Sequence, residues 1–498
     1  MNHISKNKYL LSLFCIVSGF LLSVFPILYS TSFTIFFPGI LLLIVPIICL
    51  LISVNDNIPK YDELFLLILI LISIAYNHYI FAFKFNYPIG TDAPVQIDVT
   101  RSFLVESGHY LLAPMNCVSF GFPGLYILYT FLMDVTGFDL YPLATYLHPA
   151  LNMLTLVFFY IFVKKFFDAK ISLLSVFLFG WDLTVIKFGF EYRTQSLAII
   201  LYMAIISLCS MRIATKNEGY NVSSAVTLML LAVGMTQMHL VTNMTLFLTL
   251  LILFASSLII SKIGGKIDVK ISSTFFLFSL IIFLFYMLYL ANFFDTIIGF
   301  IKYCVIQSFS NEFMGSSSNT RGLKGSLYGP LVLTVTWITR LIFILSSILF
   351  AKKFAIDKIK KVSDLFIILW AGVFIALMLL ISFKGNILNP DRLYHFFAFP
   401  YSIIMSFGIV YFLRIKSLKL RPYIKVVTLI FILLFVISSL LKLPSSIIGD
   451  TEPLRGHCLV DDQHWDMSKN NYGSNEILTQ DAVSKNKIYC DSNLKDGG

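Results

Sequence analysis

Charge is what this sequence has least of. Only 13% of its 498 residues are Asp, Glu, Lys or Arg, while 58% are hydrophobic, and the mean hydropathy is +0.84. A soluble chain of this length needs far more charge to cover its surface. The alternating segments of about ten residues that build an outer-membrane-type barrel are also missing. None of the seven Cys forms a CxxC, which removes zinc-finger and thioredoxin readings. There is no HExxH, no Walker A and no GxSxG after a strand, so zinc protease, ATPase and serine hydrolase chemistry has no support. Nor is there a row of intramembrane carboxylates for a proton pump, or an internal repeat for a transporter's inverted halves.

What is present is a series of apolar runs of about 20 residues, each able to cross a hydrocarbon core of roughly 30 Å. The chain reads as an all-α polytopic membrane protein with about thirteen transmembrane helices. The spans are expected at 10–30, 33–54, 64–83, 143–163, 171–190, 194–211, 224–238, 240–261, 272–293, 329–350, 363–383, 396–414 and 423–442. The first apolar run is too long for a cleaved signal and lacks a small-x-small exit, so it reads as an uncleaved span. The stretch 121–136, "GFPGLYILYTFLMDVT", is short for a span and reads as a helix lying at the interface. Residues 84–142 then form one large loop.

The net charge of +10 does not point to nucleic acid, because the basic residues sit in short loops between spans. With a cytoplasmic N-terminus, the inner loops hold 21 of the 37 Lys and Arg residues and the longer outer loops between spans hold 9. The positive-inside rule therefore places 84–142 and the polar tail 443–498 on the extracytoplasmic side. Three parts follow: two N-terminal helices over 1–63, a main transmembrane domain over 64–442, and the tail. Cys458 and Cys490 lie in that tail and could pair there.

Four polar constellations break the apolar pattern, all but Arg340 at the expected outer ends of spans. In "GTDAPVQIDVTRSF", Asp92 precedes a helical pattern with Val95, Val99 and Phe103 on one apolar face, suited to the membrane surface. Asp92 reads equally as an N-cap and as a fixed carboxylate available as a general base. In "FEYRTQ", Glu191 and Arg193 form either a solvated turn or a second acidic site converging with Asp92. In "GMTQMHLVTN", Gln237, His239, Thr242 and Asn243 interrupt a long run, where polar groups face a cavity or bond across helices. In "NPDRLYHFF", Arg392 lies beside Tyr394 and His395, placed to hold a phosphate or to snorkel to headgroups. Arg340 lies near mid-span, where a cation needs a cavity, a carboxylate or a phosphate.

The order of these features resembles the GT-C superfamily of membrane glycosyltransferases from about residue 64 to 414, after two extra spans. "GTDAPVQIDVTRSFLVESGHYL" is similar to the family's first outer loop, with an Asp before a juxtamembrane helix. "FPGLYILYTFLMDVTGFD" resembles its second juxtamembrane helix, "EYRTQSLAIILY" the place of its second acidic motif, and "NPDRLYHFFAFPYSI" its late Arg-bearing span. Asp92 is followed by Ala, unlike the Asp-Glu pair of protein mannosyltransferases, and the Trp-Trp-Asp-Tyr-Gly of oligosaccharyltransferases is absent.

The resemblance, to aminoarabinose-transferase- and protein-mannosyltransferase-like proteins, implies a GT-C-like bundle with juxtamembrane helices in its first outer loop. It implies transfer of a sugar from a polyprenyl-phosphate donor to a glycan, lipid or protein acceptor, with inversion, in cell-surface assembly. Asp92 and Glu191 take the catalytic places in that scheme, with Mg or Mn as a candidate cation between them. Arg392 and Arg340 take the donor phosphate, and Arg193, Gln237, His239, Tyr394 and His395 line the substrate cavity. The rival readings are a flippase for lipid-linked sugars, an O-antigen-type polymerase, or an accessory subunit in which Asp92 only caps a helix.

Overall fold

The computed structural model describes residues 6–28, 33–54, 58–85, 122–211, 222–269, 271–290, 329–356, 361–384, 390–414 and 421–457, together with positions 88, 93, 96, 97, 99 and 100. The described residues form helices and no named strand; one isolated bridge joins Lys266 to Lys361. In chain order the helices are α1 (Lys6–Leu28), α2 (Phe33–Ser53), α3 (Lys60–Phe85), α4 (Gly124–Thr136) and α5 (Leu140–Phe166). Then come α6 (Ala169–Gly180), α7 (Leu183–Phe190), α8 (Thr194–Met211), α9 (Val222–Thr236) and α10 (Leu240–Lys262). The last are α11 (Ser273–Phe285), α12 (Gly329–Ile356), α13 (Val362–Lys384), α14 (Pro390–Leu413) and α15 (Arg421–His457).

Among the described residues each expected span overlaps helix, and one, 171–190, is divided between two helices. By length and hydropathy, 7 helices among the described residues can cross a membrane, or up to 8 with one bent pair counted as a span. The expected thirteen is therefore larger than these criteria alone give: α1, α2, α9 and α11 contribute shorter apolar stretches, and α12 is not among the helices that meet the criteria over the described residues. Helix α15 runs past the expected end at 442 to His457; the remaining tail, with Cys458 and Cys490, lies outside the described residues.

One expected span is broken. The run 171–190 forms α6 and α7, bent by 66° at Trp181–Asp182. Asp182 explains the break: its carboxylate accepts from Thr184 N at 2.9 Å, an N-cap that starts a new helix. Its other oxygen accepts from the Tyr394 hydroxyl at 3.1 Å, so α14 holds the bend in place. The aromatic interior packs beside it, with Phe179 stacked on Phe399 at 4.3 Å and Tyr202 and Trp370 stacked on the same ring.

Helices α1 and α2 approach closely through small residues. A Cβ on Gly19 would lie 2.6 Å from Gly39 O and 2.5 Å from Leu43 N, so only Gly fits that crossing. Helix α4 is 13 residues long, about 20 Å at 1.5 Å per residue, and so is too short to span. Its Leu125, Tyr126 and Tyr129 are buried while Ile127, Phe131 and Val135 are exposed, the two faces expected of an interfacial helix.

The bundle has two chemically different ends. At one, Lys170 is buried and donates to Val54 O at 2.7 Å and Ile52 O at 3.2 Å, satisfying carbonyls at the end of α2. Lys164 pairs with Glu63 at 2.5 Å, Arg414 pairs with Asp168, and Asp268 accepts from Ser363 N at 3.0 Å to start α13. The opposite end carries the candidate site.

Candidate functional site

Three helices start at this end, and each start carries a residue singled out in the sequence. Arg193 immediately precedes α8, His239 caps α10, and Arg392 lies in the first turn of α14. Gln195 Nε2 donates to Arg392 O at 3.1 Å, tying α8 to α14. The Arg392 and Arg193 charges both act on His239, so the three side chains share one electrostatic neighbourhood. Burial first, then Arg392 and Arg193, push the His239 imidazole down to about 3. It is therefore neutral at physiological pH.

Arg193 is held firmly. Its Nε lies 2.7 Å from Glu191 Oε2, with side chains 8% and 2% exposed, and its guanidinium sits 5.4 Å from the centre of the Phe188 ring. The turn at 191–193 is thus a buried pair and not a solvated corner. Among the described side chains the cluster brings Arg193 and Arg392 together with Glu191, and helix N-termini add partial positive charge.

The polar break in "GMTQMHLVTN" divides into two kinds of residue. Asn243 Nδ2 donates to Met235 O at 2.8 Å and His239 O at 3.1 Å, so it closes the α9–α10 turn. His239 Nδ1 accepts from Thr242 N at 3.3 Å and lies 2.9 Å from the Thr242 hydroxyl, an N-cap made by an imidazole. Gln237 contributes its main chain: its carbonyl accepts from Gly124 N at 2.9 Å and clamps the start of α4.

Asp92 lies outside the described residues. Its neighbours Ala93, Ile97 and Val99 are buried in a cluster with Leu125, Tyr126 and Tyr129 of α4 and with Tyr192, the residue between Glu191 and Arg193. Thr100 donates to Gln96 O at 2.7 Å, so the Tyr192 hydroxyl, 3.0 Å away, donates to Thr100 Oγ1. Tyr126 donates to Gln96 Oε1 at 2.7 Å. The Tyr192 ring meets Tyr129 edge-on at 4.9 Å and His148 at 5.4 Å, and Tyr129 Oη lies 2.9 Å from His148 Nδ1. Val99, expected on a membrane-facing stripe, is instead buried against α4 and the 191–193 turn, because that aromatic layer offers more apolar contact.

The remaining expected residues, on α12 and α14, make other contacts. Tyr394 serves Asp182, and His395 is buried with its ring 4.9 Å from Phe188 and 6.2 Å from Phe179, in aromatic surroundings. Arg340 is exposed, with its guanidinium 5.1 Å from the centre of the Trp337 ring, and its charge acts on Tyr394 and Tyr401. It flanks α14 and is not among the groups that act on His239. Tyr192, Gln195, His148 and Asp182 were missed. Tyr192 sits inside the quoted "FEYRTQ", and Asp182 was legible as a lone acid in an apolar run.

Among the described residues no three His, Cys, Asp or Glu side chains gather as a metal-binding set. Glu191 is paired with a guanidinium, and Asp92, the other expected ligand of a cation, lies outside the described residues.

Fold and site together define an integral membrane protein with Arg193, His239 and Arg392 gathered at one end of its bundle. No protein-family model matches the chain, and no curated protein matches it. Among solved structures it is similar to the Archaeoglobus fulgidus oligosaccharyltransferase in its apo form, at 11% identity and a TM-score of 0.45, over 77% of this chain and 57% of that one. The same enzyme tethered to an acceptor peptide containing the NVT sequon matches at 12% identity and a TM-score of 0.43, over 76% and 55%. The chain thus spans a little over half the length of the structures it matches.

Proposed function

We propose that this protein is a membrane glycosyltransferase of the GT-C type, moving a sugar from a polyprenyl-phosphate donor to a hydroxyl on a glycan, lipid or protein acceptor. The observation that carries the reading is the gathering of Arg193, His239 and Arg392 where three helices begin. Such an arrangement suits an anion, and a lipid phosphate is the anion a membrane supplies.

In this reaction the acceptor oxygen attacks the anomeric carbon, the bond from that carbon to the phosphate oxygen breaks, and polyprenyl phosphate leaves with the electron pair. The leaving group is already anionic, so the enzyme's task is to neutralise developing charge. Arg392 and Arg193 do so, and Arg340 meets the lipid at the flank of α14. Glu191 fixes the Arg193 fork through Nε. Asp92 takes the acceptor proton, a base contribution of roughly 10²–10⁴-fold. Its sequence neighbour Ala93 belongs to the same buried cluster as Tyr192, which supports placing the base beside the Glu191–Arg193 turn. Direct displacement inverts the anomeric centre. The basic end of the bundle faces the cytoplasm and the cluster faces outward.

The test is transfer from a polyprenyl-phosphate sugar by reconstituted protein, wild type beside Asp92→Asn. Asn still caps a helix, so the account expects intact fold and donor binding with transfer reduced at least hundredfold. Full transfer by the variant would remove Asp92 as the base. A flippase would carry lipid-linked sugar in both forms and transfer in neither.

A further inference from the structure

His239 is placed by its own hydrogen bonds in one tautomer. A main-chain N–H can only donate, so Nδ1, which accepts from Thr242 N at 3.3 Å, carries no proton. The Thr242 hydroxyl at 2.9 Å then also donates to Nδ1. The neutral ring must therefore carry its proton on Nε2. Because Nδ1 is turned into the first turn of α10, Nε2 points away from that helix. The side chain is half-buried at the end of the bundle where Arg193 and Arg392 also lie.

We infer that His239 is a ligand-contacting residue of the phosphate site, its neutral Nε2–H donating to a phosphate oxygen held between Arg193 and Arg392. This rests on the reading of that cluster as the donor-phosphate site, and it adds a third donor of a different kind. The two guanidiniums supply charge. The imidazole supplies a directed hydrogen bond without adding charge, which limits repulsion among three donors crowded at one place. The α10 cap does the positioning, as the partner of one ring nitrogen generally fixes what the other presents.

Two substitutions separate this role from simple capping. In His239→Asn the amide replaces Nδ1, keeping a good N-cap and removing the Nε2–H. In His239→Gln the amide nitrogen reaches toward the Nε2 position while the cap is lost. The measurement is the affinity of the full chain in nanodiscs for farnesyl phosphate, with farnesol as the control lacking phosphate. The expected result is that His239→Asn weakens farnesyl phosphate about ten- to hundredfold, leaves farnesol unchanged, and that His239→Gln recovers most of the loss. Wild-type affinity in His239→Asn, or an equal loss for farnesol, would overturn the inference while leaving the phosphate site standing. Wild-type protein that binds farnesyl phosphate no better than farnesol would overturn the phosphate site itself, and the inference with it.

Discussion

The two ends of the bundle handle basic residues in opposite ways. At the end read as cytoplasmic, cations meet helix C-termini or carboxylates: Lys170 reaches the last carbonyls of α2, Lys164 pairs with Glu63, and Arg414 pairs with Asp168 at the end of α14. These placements agree with the helix dipole and complete groups that would otherwise be unsatisfied. At the other end Arg193 and Arg392 stand at helix N-termini, where each cation opposes the dipole by about 0.3–1 kcal/mol. Among the described residues Glu191 forms the salt bridge that fixes Arg193. One end is arranged for stability. The other sets two guanidiniums at helix N-termini, a placement that the proposed anionic ligand would relieve.

Substitutions can break that contrast, and the expected effects descend in size. Glu191→Gln removes the partner of a buried guanidinium and should destabilise the protein by about 3–5 kcal/mol, read as a fall in detergent melting temperature. Added farnesyl phosphate should restore part of that loss, since a bound anion takes the carboxylate's place. Lys170→Met should cost about 1–3 kcal/mol through two orphaned carbonyls, and farnesyl phosphate should restore nothing beyond its effect on wild type. Arg414→Ala, in a partly exposed pair, should cost at most about 1 kcal/mol and leave ligand affinity untouched.

The smallest effect is on pH dependence. His239 has a folded value near 3, below its ordinary 6.5, so it contributes stability that is full above 6.5 and lost as pH falls toward 3. His239→Asn should flatten the acid limb of a melting-temperature profile over that window. An unchanged limb would mean the imbalance lies at other groups.

Much of this contrast was legible in the sequence. The helices followed from apolar run length, and the basic end followed from Lys and Arg in short loops. Arg392 and the Glu191–Arg193 pair stood out because charge beside an apolar run is costly. What was hidden depends on long-range contact. The 66° bend in 171–190 needed Asp182 to be read as a cap, and its partner Tyr394 lies far along the chain. Nothing local in "FEYRTQ" indicates that Tyr192 reaches Thr100. In "GMTQMHLVTN" four polar residues looked alike; only geometry divides Asn243, which closes a turn, from His239, which presents a donor.

If the cluster at the starts of α8, α10 and α14 holds a lipid phosphate, removing Arg392 should release it. Native mass spectrometry of the detergent-purified protein, wild type beside Arg392→Ala, tests it most directly. The account predicts that polyprenyl-phosphate sugar, co-purified or added, stays bound to wild type and is lost from the variant, while Arg414→Ala retains it. Equal retention by wild type and Arg392→Ala, or no binding by folded wild type even with lipid added, would contradict it.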